Sequence, residues 1–312
     1  MSEPEGRGAA WTEGRATKEG GASEGGMGRR VGPRRRAGKR SEPEGRGAAG
    51  RTSISDCLHA EWTQMRTAPG TIWLLAAAMV LTVGVSTGAA AATRCASGAG
   101  CPVDVTKLSL TGVQVGQALV AILAVLMVGA EYSTGMIRIT LTAMPRRSAV
   151  LAAKAAILTA LVLAAGTAGV AGSVLAGRII LPGHGFTPAN GFPLESLAHG
   201  PVLRAAAGSV LYLALVALLS LGAAAAVRDS AVAIGAVLAL LYLFPIVAAV
   251  AASQNWHRHL EQIGPMTAGL AIQATTGLRG LPIGPWAGLG VLAAWAAGAL
   301  LLGGVVLSRR DA

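Results

Sequence analysis

The chain has 312 residues, 53% of them hydrophobic and a further 43 glycine, yet only 13% are charged and the formal net charge is +11. Soluble domains carry about a quarter of their residues as charges, so a soluble enzyme is disfavoured. Twelve of the 26 Lys and Arg fall in residues 1–51 rather than over a folded surface, and three Tyr and three Phe leave little for base stacking, so no specific nucleic-acid partner is expected.

Residues 1–51 are rich in Gly, Glu, Arg and Ser and almost free of large aliphatic side chains. Such a composition cannot offset the entropy of ordering the backbone, so the stretch reads as a disordered, basic, low-complexity tail. SEPEGRGAA occurs twice, at Ser2–Ala10 and Ser41–Ala49, too polar and too widely spaced for a solenoid unit. The basic run Gly28–Arg40 suits a solvated tail held near an acidic leaflet. No secretory leader is expected, because the first apolar segment begins only at Ile72.

Between Ser53 and Arg66, Ile54, Leu58, Trp62 and Met65 recur at spacings of four, four and three, which is one stripe of a helix. Ser53 and Asp56 resemble a capping box at its start. The pattern predicts an amphipathic helix lying in the membrane interface.

Six apolar segments follow: Ile72–Ala92, Leu110–Gly129, Val150–Ala176, Ala205–Val227, Ala231–Ala252 and Trp286–Leu307. Each is near the roughly 20 residues that cross a hydrocarbon core of about 30 Å. The expected fold is therefore all-α, a polytopic membrane protein with six transmembrane helices over residues 52–312. Lys154, one turn into the third segment, can snorkel to the interface, and Pro245 should kink the fifth.

Basic residues near the span ends set the orientation. Arg66, Arg138, Arg146, Arg147, Lys154, Arg228, Arg309 and Arg310 gather on one side, denser than Arg94, Lys107, Arg178, Arg204, Arg258 and Arg279 on the other. A multi-pass protein of the cell membrane with both termini cytoplasmic is expected.

The apolar segments contain no Ser–His–acid set, and apart from Lys154 none of the ionisable residues that ion coupling uses. The chain also has no G-x-x-x-x-G-K-[ST] phosphate loop. No catalytic residue, no cofactor and no enzyme activity of its own are expected. Three cysteines without a C-x-x-C argue against a zinc framework, and His257 with His259 lack a third ligand, so no metal is expected. Cys95 and Cys101 flank five residues in a loop assigned to the oxidising side, where a small disulfide ring competes with two free thiols; Cys57, on the other side, should stay reduced. Gly284 and Gly288, four apart, suit close helix contact, and Gln114 and Gln117 are candidate polar contacts near the outer end of the second span.

The most informative stretch is the segment between the second and third spans, Glu131–Lys154. Ile137, Leu141 and Met144 form an apolar stripe, Ser133 or Thr134 can cap its start, and Pro145 stops it. Topology alone needs neither the stripe nor Gly135. Here the chain resembles the permease subunits of type-two ATP-binding-cassette transporters, the export class, in the form common in high-GC Gram-positive bacteria. The resemblance rests on Glu131, Gly135, Leu141, Thr142 and Pro145, followed by Arg146, Arg147 and Lys154, and on AEWTQMRT at Ala60–Thr67. It covers about residues 52–312, and residues 1–51 depart from it.

The resemblance implies that Glu131–Arg147 is a coupling helix seated in a cleft of a separate ATPase. Its apolar stripe would fill a groove, while Arg138, Arg146 and Arg147 face acids or lipid phosphates. It also implies that ATP and Mg are bound by that partner, that the partners are an ATP-binding subunit, a second or sister permease and membrane lipid, and that a substrate such as a drug or lipid moves outward. By the same analogy, Asn255–Gly284 holds short re-entrant helices at the outer end. The rival reading is a membrane-anchored sensory or regulatory protein that uses the same cytoplasmic segment to dock another partner.

Overall fold

A computed structural model describes residues 69–95, 103–133, 147–188, 192, 200–227, 229–251 and 253–309, with backbone alone for 130–133 and 147–149. Residues 1–50 form a unit apart from 51–312, and the description below concerns the second unit. Among the described residues the fold is all-α. The elements are α1 (Pro69–Ala92), α2 (Val105–Ser109), α3 (Val113–Ser133), α4 (Arg147–Ile180), α5 (Gly200–Val227), α6 (Ser230–Val250), α7 (Gln254–Ile263), α8 (Pro265–Leu270) and α9 (Pro285–Arg309), with short 3-10 turns after α4 and α8.

Five of these, α1, α4, α5, α6 and α9, are long and apolar enough to cross a membrane. The apolar part of α3, Val113–Gly129, is shorter. The expected second span starts at Leu110, but Leu110–Gly112 form a turn and the helix begins at Val113. At 34 residues α4 runs about 51 Å, well beyond a hydrocarbon core.

The centre of the bundle is α5, which packs on α3, α4, α6 and α9. In its most apolar window 61% of residues are buried inside the protein, against 17–33% for the other four long helices, whose outer faces stay exposed. Close helix approach follows from small residues, since in a bilayer association is driven by packing rather than by water. A Cβ at Gly222 of α5 would run into the backbone of Ala299 on α9, and Gly303 of α9 lies against the Gly222 carbonyl. Gly112, just before α3, and Gly116 on it face Thr82 of α1, while Gly129 faces Ser230 of α6, so α3 runs from one end of the bundle to the other.

One end of the bundle therefore gathers Ala92, α2, the turn after Ile180, the start of α5 and the whole of α7 and α8. The other gathers Ser133, Arg147, the Val227–Ser230 turn and Arg309.

One local expectation changes. Lys154 does not reach outward: it is only 4% exposed, on the inward face of α4. The NWHRH stretch is helical, within α7, inside the stretch expected to hold short helices. Pro245 lies inside α6, where it removes the N–H that would bond Leu241, and the helix continues through it to Val250.

Candidate functional site

Polar side chains on α5 line a buried layer between α3 and α8. Tyr212, Ser209 and Gln117 are each fully buried. Tyr212 donates to Gln117 Oε1, and Gln117 Nε2 donates to Met266 Sδ at 3.2 Å. Gln273, directly after α8, donates from Nε2 to Ser209 Oγ at 3.0 Å. Tyr242 of α6 donates to the Gln114 carbonyl at 2.5 Å. The Gln117 side chain thus ties α3 to α5 and α8, while Gln114 contributes its backbone carbonyl to Tyr242 of α6. Tyr212 packs flat against Gly269, where a Cβ would meet its ring, so only glycine admits this contact.

The layer continues outward to a clasp. Arg204, near the start of α5, donates to the Ala274 carbonyl at 2.6 Å. Its Nε, like Gln273 Oε1, is buried without a partner among the described residues. Asp104 precedes α2 and caps it by accepting from the Lys107 N–H at 3.2 Å. The same carboxylate accepts from Thr275 N–H at 2.5 Å, Thr275 Oγ1 at 2.7 Å and Thr276 N–H at 2.9 Å. Burial pushes the Asp104 carboxyl up, but the four hydrogen bonds from Thr275, Thr276 and Lys107 outweigh it and hold the group below the ordinary carboxylate range.

Beside the clasp, Cys95 is disulfide-bonded, and its backbone N–H bonds the His184 carbonyl at 3.0 Å. Gly185 turns there with φ of 94°, a conformation suited to glycine, and a Cβ would strike the Cys95 carbonyl. Phe186 and Phe192 meet edge to face at 5.1 Å and cover this corner with Leu181.

Toward the opposite end, α5, α6 and α9 part to leave an apolar groove of about 600 Å³, lined by residues such as Ala223, Val227, Leu240, Ala294, Gly298 and Leu302.

Among the residues singled out by sequence, Glu131 falls in the last turn of α3 and Arg147 opens α4. The rest of the coupling stretch, Gly135, Ile137, Arg138, Leu141, Met144, Pro145 and Arg146, lies outside the described residues. So do the interfacial stripe Ile54, Leu58, Trp62 and Met65, and Cys57 and Cys101. Gly288 is a close contact, facing the Ala268 carbonyl, whereas Gly284 meets nothing. His257 donates from Nδ1 to the Ala248 carbonyl at 2.8 Å and sets Nε2 3.4 Å from Glu261, which ties α7 back onto α6. Among the described residues no three His, Cys, Asp or Glu side chains converge as a metal site would require.

Asp104, Arg204 and Gln273 are the residues that sequence reasoning missed. A faint signal existed for the first, an Asp just ahead of a short helical pattern, which is an N-cap position. Compared with known proteins, the chain matches no family model and no curated sequence.

Proposed function

We propose that the chain is the permease subunit of an ATP-binding-cassette exporter. It sits in the cell membrane with six spans, α3 being the sixth, and with both termini cytoplasmic. It pairs with a second copy or a sister permease and with two ATPase chains that bind ATP and Mg, and it carries no catalytic residue. The observation that supports the reading concerns the flanks of residues 134–146, Ser133 and Arg147. The helices α3 and α4 deliver both ends of that stretch to the same end of the bundle, next to the Val227–Ser230 turn. A stretch with an apolar stripe and a proline stop is thus anchored on two long helices, which is the arrangement a lever needs.

The clasped end supplies the other half of the mechanism. Movement of α3 against α5 and α8 works directly on the Gln117–Tyr212–Met266 contacts, and beyond them on Asp104 and Thr275. Two buried groups there, Arg204 Nε and Gln273 Oε1, lack partners among the described residues and gain water on opening, which lowers the cost of parting this end. In this reading the clasp is the outer closure, and nucleotide-driven closure of the ATPases opens it.

Affinity purification of the full chain from its native membranes should retain a protein bearing a G-x-x-x-x-G-K-[ST] loop. A soluble partner without one would favour the sensory reading. Orientation is tested separately with single cysteines at Ser133, Asn190 and Ser308 and an impermeant thiol reagent on intact cells. Only the Asn190 site should react, and labelling at Ser133 would reverse the topology.

A further inference from the structure

The groove between α5, α6 and α9 is built unlike the rest of the lipid-facing surface. On α9 its lining follows Val291, Ala294, Trp295, Gly298 and Leu302, one face of the helix, and it meets the last turns of α5 from Leu219 to Val227. A Cβ at Gly298 would touch nothing, so the space over this glycine is open rather than occupied by a packed neighbour. Trp295 lies within this lining, its ring meeting Phe244 edge to face at 6.4 Å and its N–H taken by the Ile263 carbonyl at 3.0 Å. No hydrogen-bonding group of the indole is left for an occupant, and the walls are otherwise aliphatic.

The dimensions select among occupants. A volume of about 600 Å³ lies within the range of about 300–1,000 Å³ for small-molecule sites, whereas a helix with side chains is about 10 Å across and would sit over the groove, not in it. Along α9 the groove runs about 16 Å, which matches half a hydrocarbon core of about 30 Å. It runs from the last turn of α5, at Val227, to Val291 on α9. That is the extent of an acyl chain in one leaflet.

Continuing the same α9 face two turns beyond Leu302 brings Arg309, exposed in the last turn and without an ion pair among the described residues. Of the carboxylates there, Asp229 caps α6 by accepting from Val232 N–H at 2.8 Å.

We infer that this groove is a binding site for one acyl chain of an anionic phospholipid from the adjoining leaflet, with its phosphate held at Arg309. The site is independent of the transport reading, because it rests on the shape and charge of the described helices alone.

The test is native mass spectrometry of the full chain released from nanodiscs that contain equal amounts of phosphatidylglycerol and phosphatidylcholine. The wild type should retain one phospholipid, with phosphatidylglycerol favoured about fivefold, the effect of one basic residue near a charged headgroup. Gly298→Phe fills the groove without a protein clash and should abolish retention, while Gly290→Phe, at an equally open glycine outside the groove, should not. Arg309→Gln should keep the lipid and remove the preference.

Retention unchanged in Gly298→Phe overturns the proposal. Loss of a dimer in Gly298→Phe with lipid retained also overturns it and assigns the groove to a second copy. If Gly298→Phe does not fold, the wild-type groove is read with Trp295 as the sole tryptophan, the other five replaced by Phe. Phosphatidylglycerol brominated in its acyl chain should then quench Trp295 more strongly than brominated phosphatidylcholine, and equal quenching refutes the site.

Discussion

At the Asp104 end of the bundle, side chains reach across great separations in sequence: Asp104 to Thr275 and Thr276, Arg204 to Ala274, Gln117 to Met266. At the Arg309 end, the side-chain hydrogen bonds described are local, Asp229 with Val232 and Ser308 with Val305, and neighbouring helices meet through Gly129, Gly222 and Gly303. Directional bonds fix one end in a single arrangement, because each donor accepts few geometries. Small-residue contacts at the other end hold helices close but specify less about their angle. A protein that must move under force applied at the Arg309 end and keep a seal at the Asp104 end would divide its interactions in this way.

The strongest way to break this contrast is at the glycine contacts. Gly222→Leu places a side chain into the Ala299 backbone and forces α5 off α9, an overpacking cost of about 3 kcal/mol or more. Folded yield and thermal midpoint in detergent should fall sharply, while Gly298→Leu, facing open space, should leave both near wild type. Equal losses in the two variants would mean that helix propensity, not close approach, sets the requirement.

Removing the Cys95 disulfide should cost about 2 kcal/mol if it closes the short ring with Cys101. Mass spectrometry after alkylation without reduction identifies the pair, with Cys57 alkylated and the other two protected. A Cys95 thiol that alkylates before reduction would refute it.

Asp104→Ala should cost about 2 kcal/mol, since it strips hydrogen bonds from three residues at once, and Asp104→Asn, which keeps an acceptor, should cost less. The pH dependence follows from the depressed pKa. The carboxylate's contribution is full above its ordinary range, near 3.8, and is lost as pH falls through the lower value it has in the fold. Acidification below about pH 4 should therefore loosen the Asp104 end of the wild type and leave Asp104→Asn indifferent, as read by hydrogen exchange in residues 103–112 and 274–277. Identical pH profiles would remove Asp104 from the closure.

The smallest effect is expected from Tyr212→Phe, about 1 kcal/mol, because Gln117 Oε1 loses its donor while the ring packing on Gly269 remains. Its value is positional: if the layer couples α3 to the clasp, the variant should raise exchange at Thr275 as well as at Gln117.

How much of this was legible depends on the range of the forces involved. Long apolar runs specify a spanning helix locally, so Ala231–Ala252 and Trp286–Leu307 fall within two residues of α6 and α9. The start of α3 moved to Val113 because Gly112 packs on Thr82, a contact with another helix that its own neighbourhood in sequence does not encode. Lys154 was misread for the same reason: exposure depends on which face meets α5 and its neighbours, and a helix apolar on all sides gives no face away. The clasp joins residues 171 apart, and nothing near Asp104 announces Thr275. The groove was invisible because Ala294 and Gly298 look like every other small pair in a chain with 43 glycines. The coupling stretch was legible only by its pattern and its resemblance, and most of it lies outside the described residues.

The central claim, that Glu131–Arg147 couples this chain to a separate ATPase, is tested most directly by Leu141→Asp in membranes reconstituted with the copurifying ATPase. A charge placed in the apolar stripe would be buried unpaired at the groove, at a cost of several kcal/mol. With insertion verified by thiol labelling, the account predicts that the variant inserts normally but loses transport-linked ATP hydrolysis. Full coupled transport by correctly inserted Leu141→Asp would contradict it.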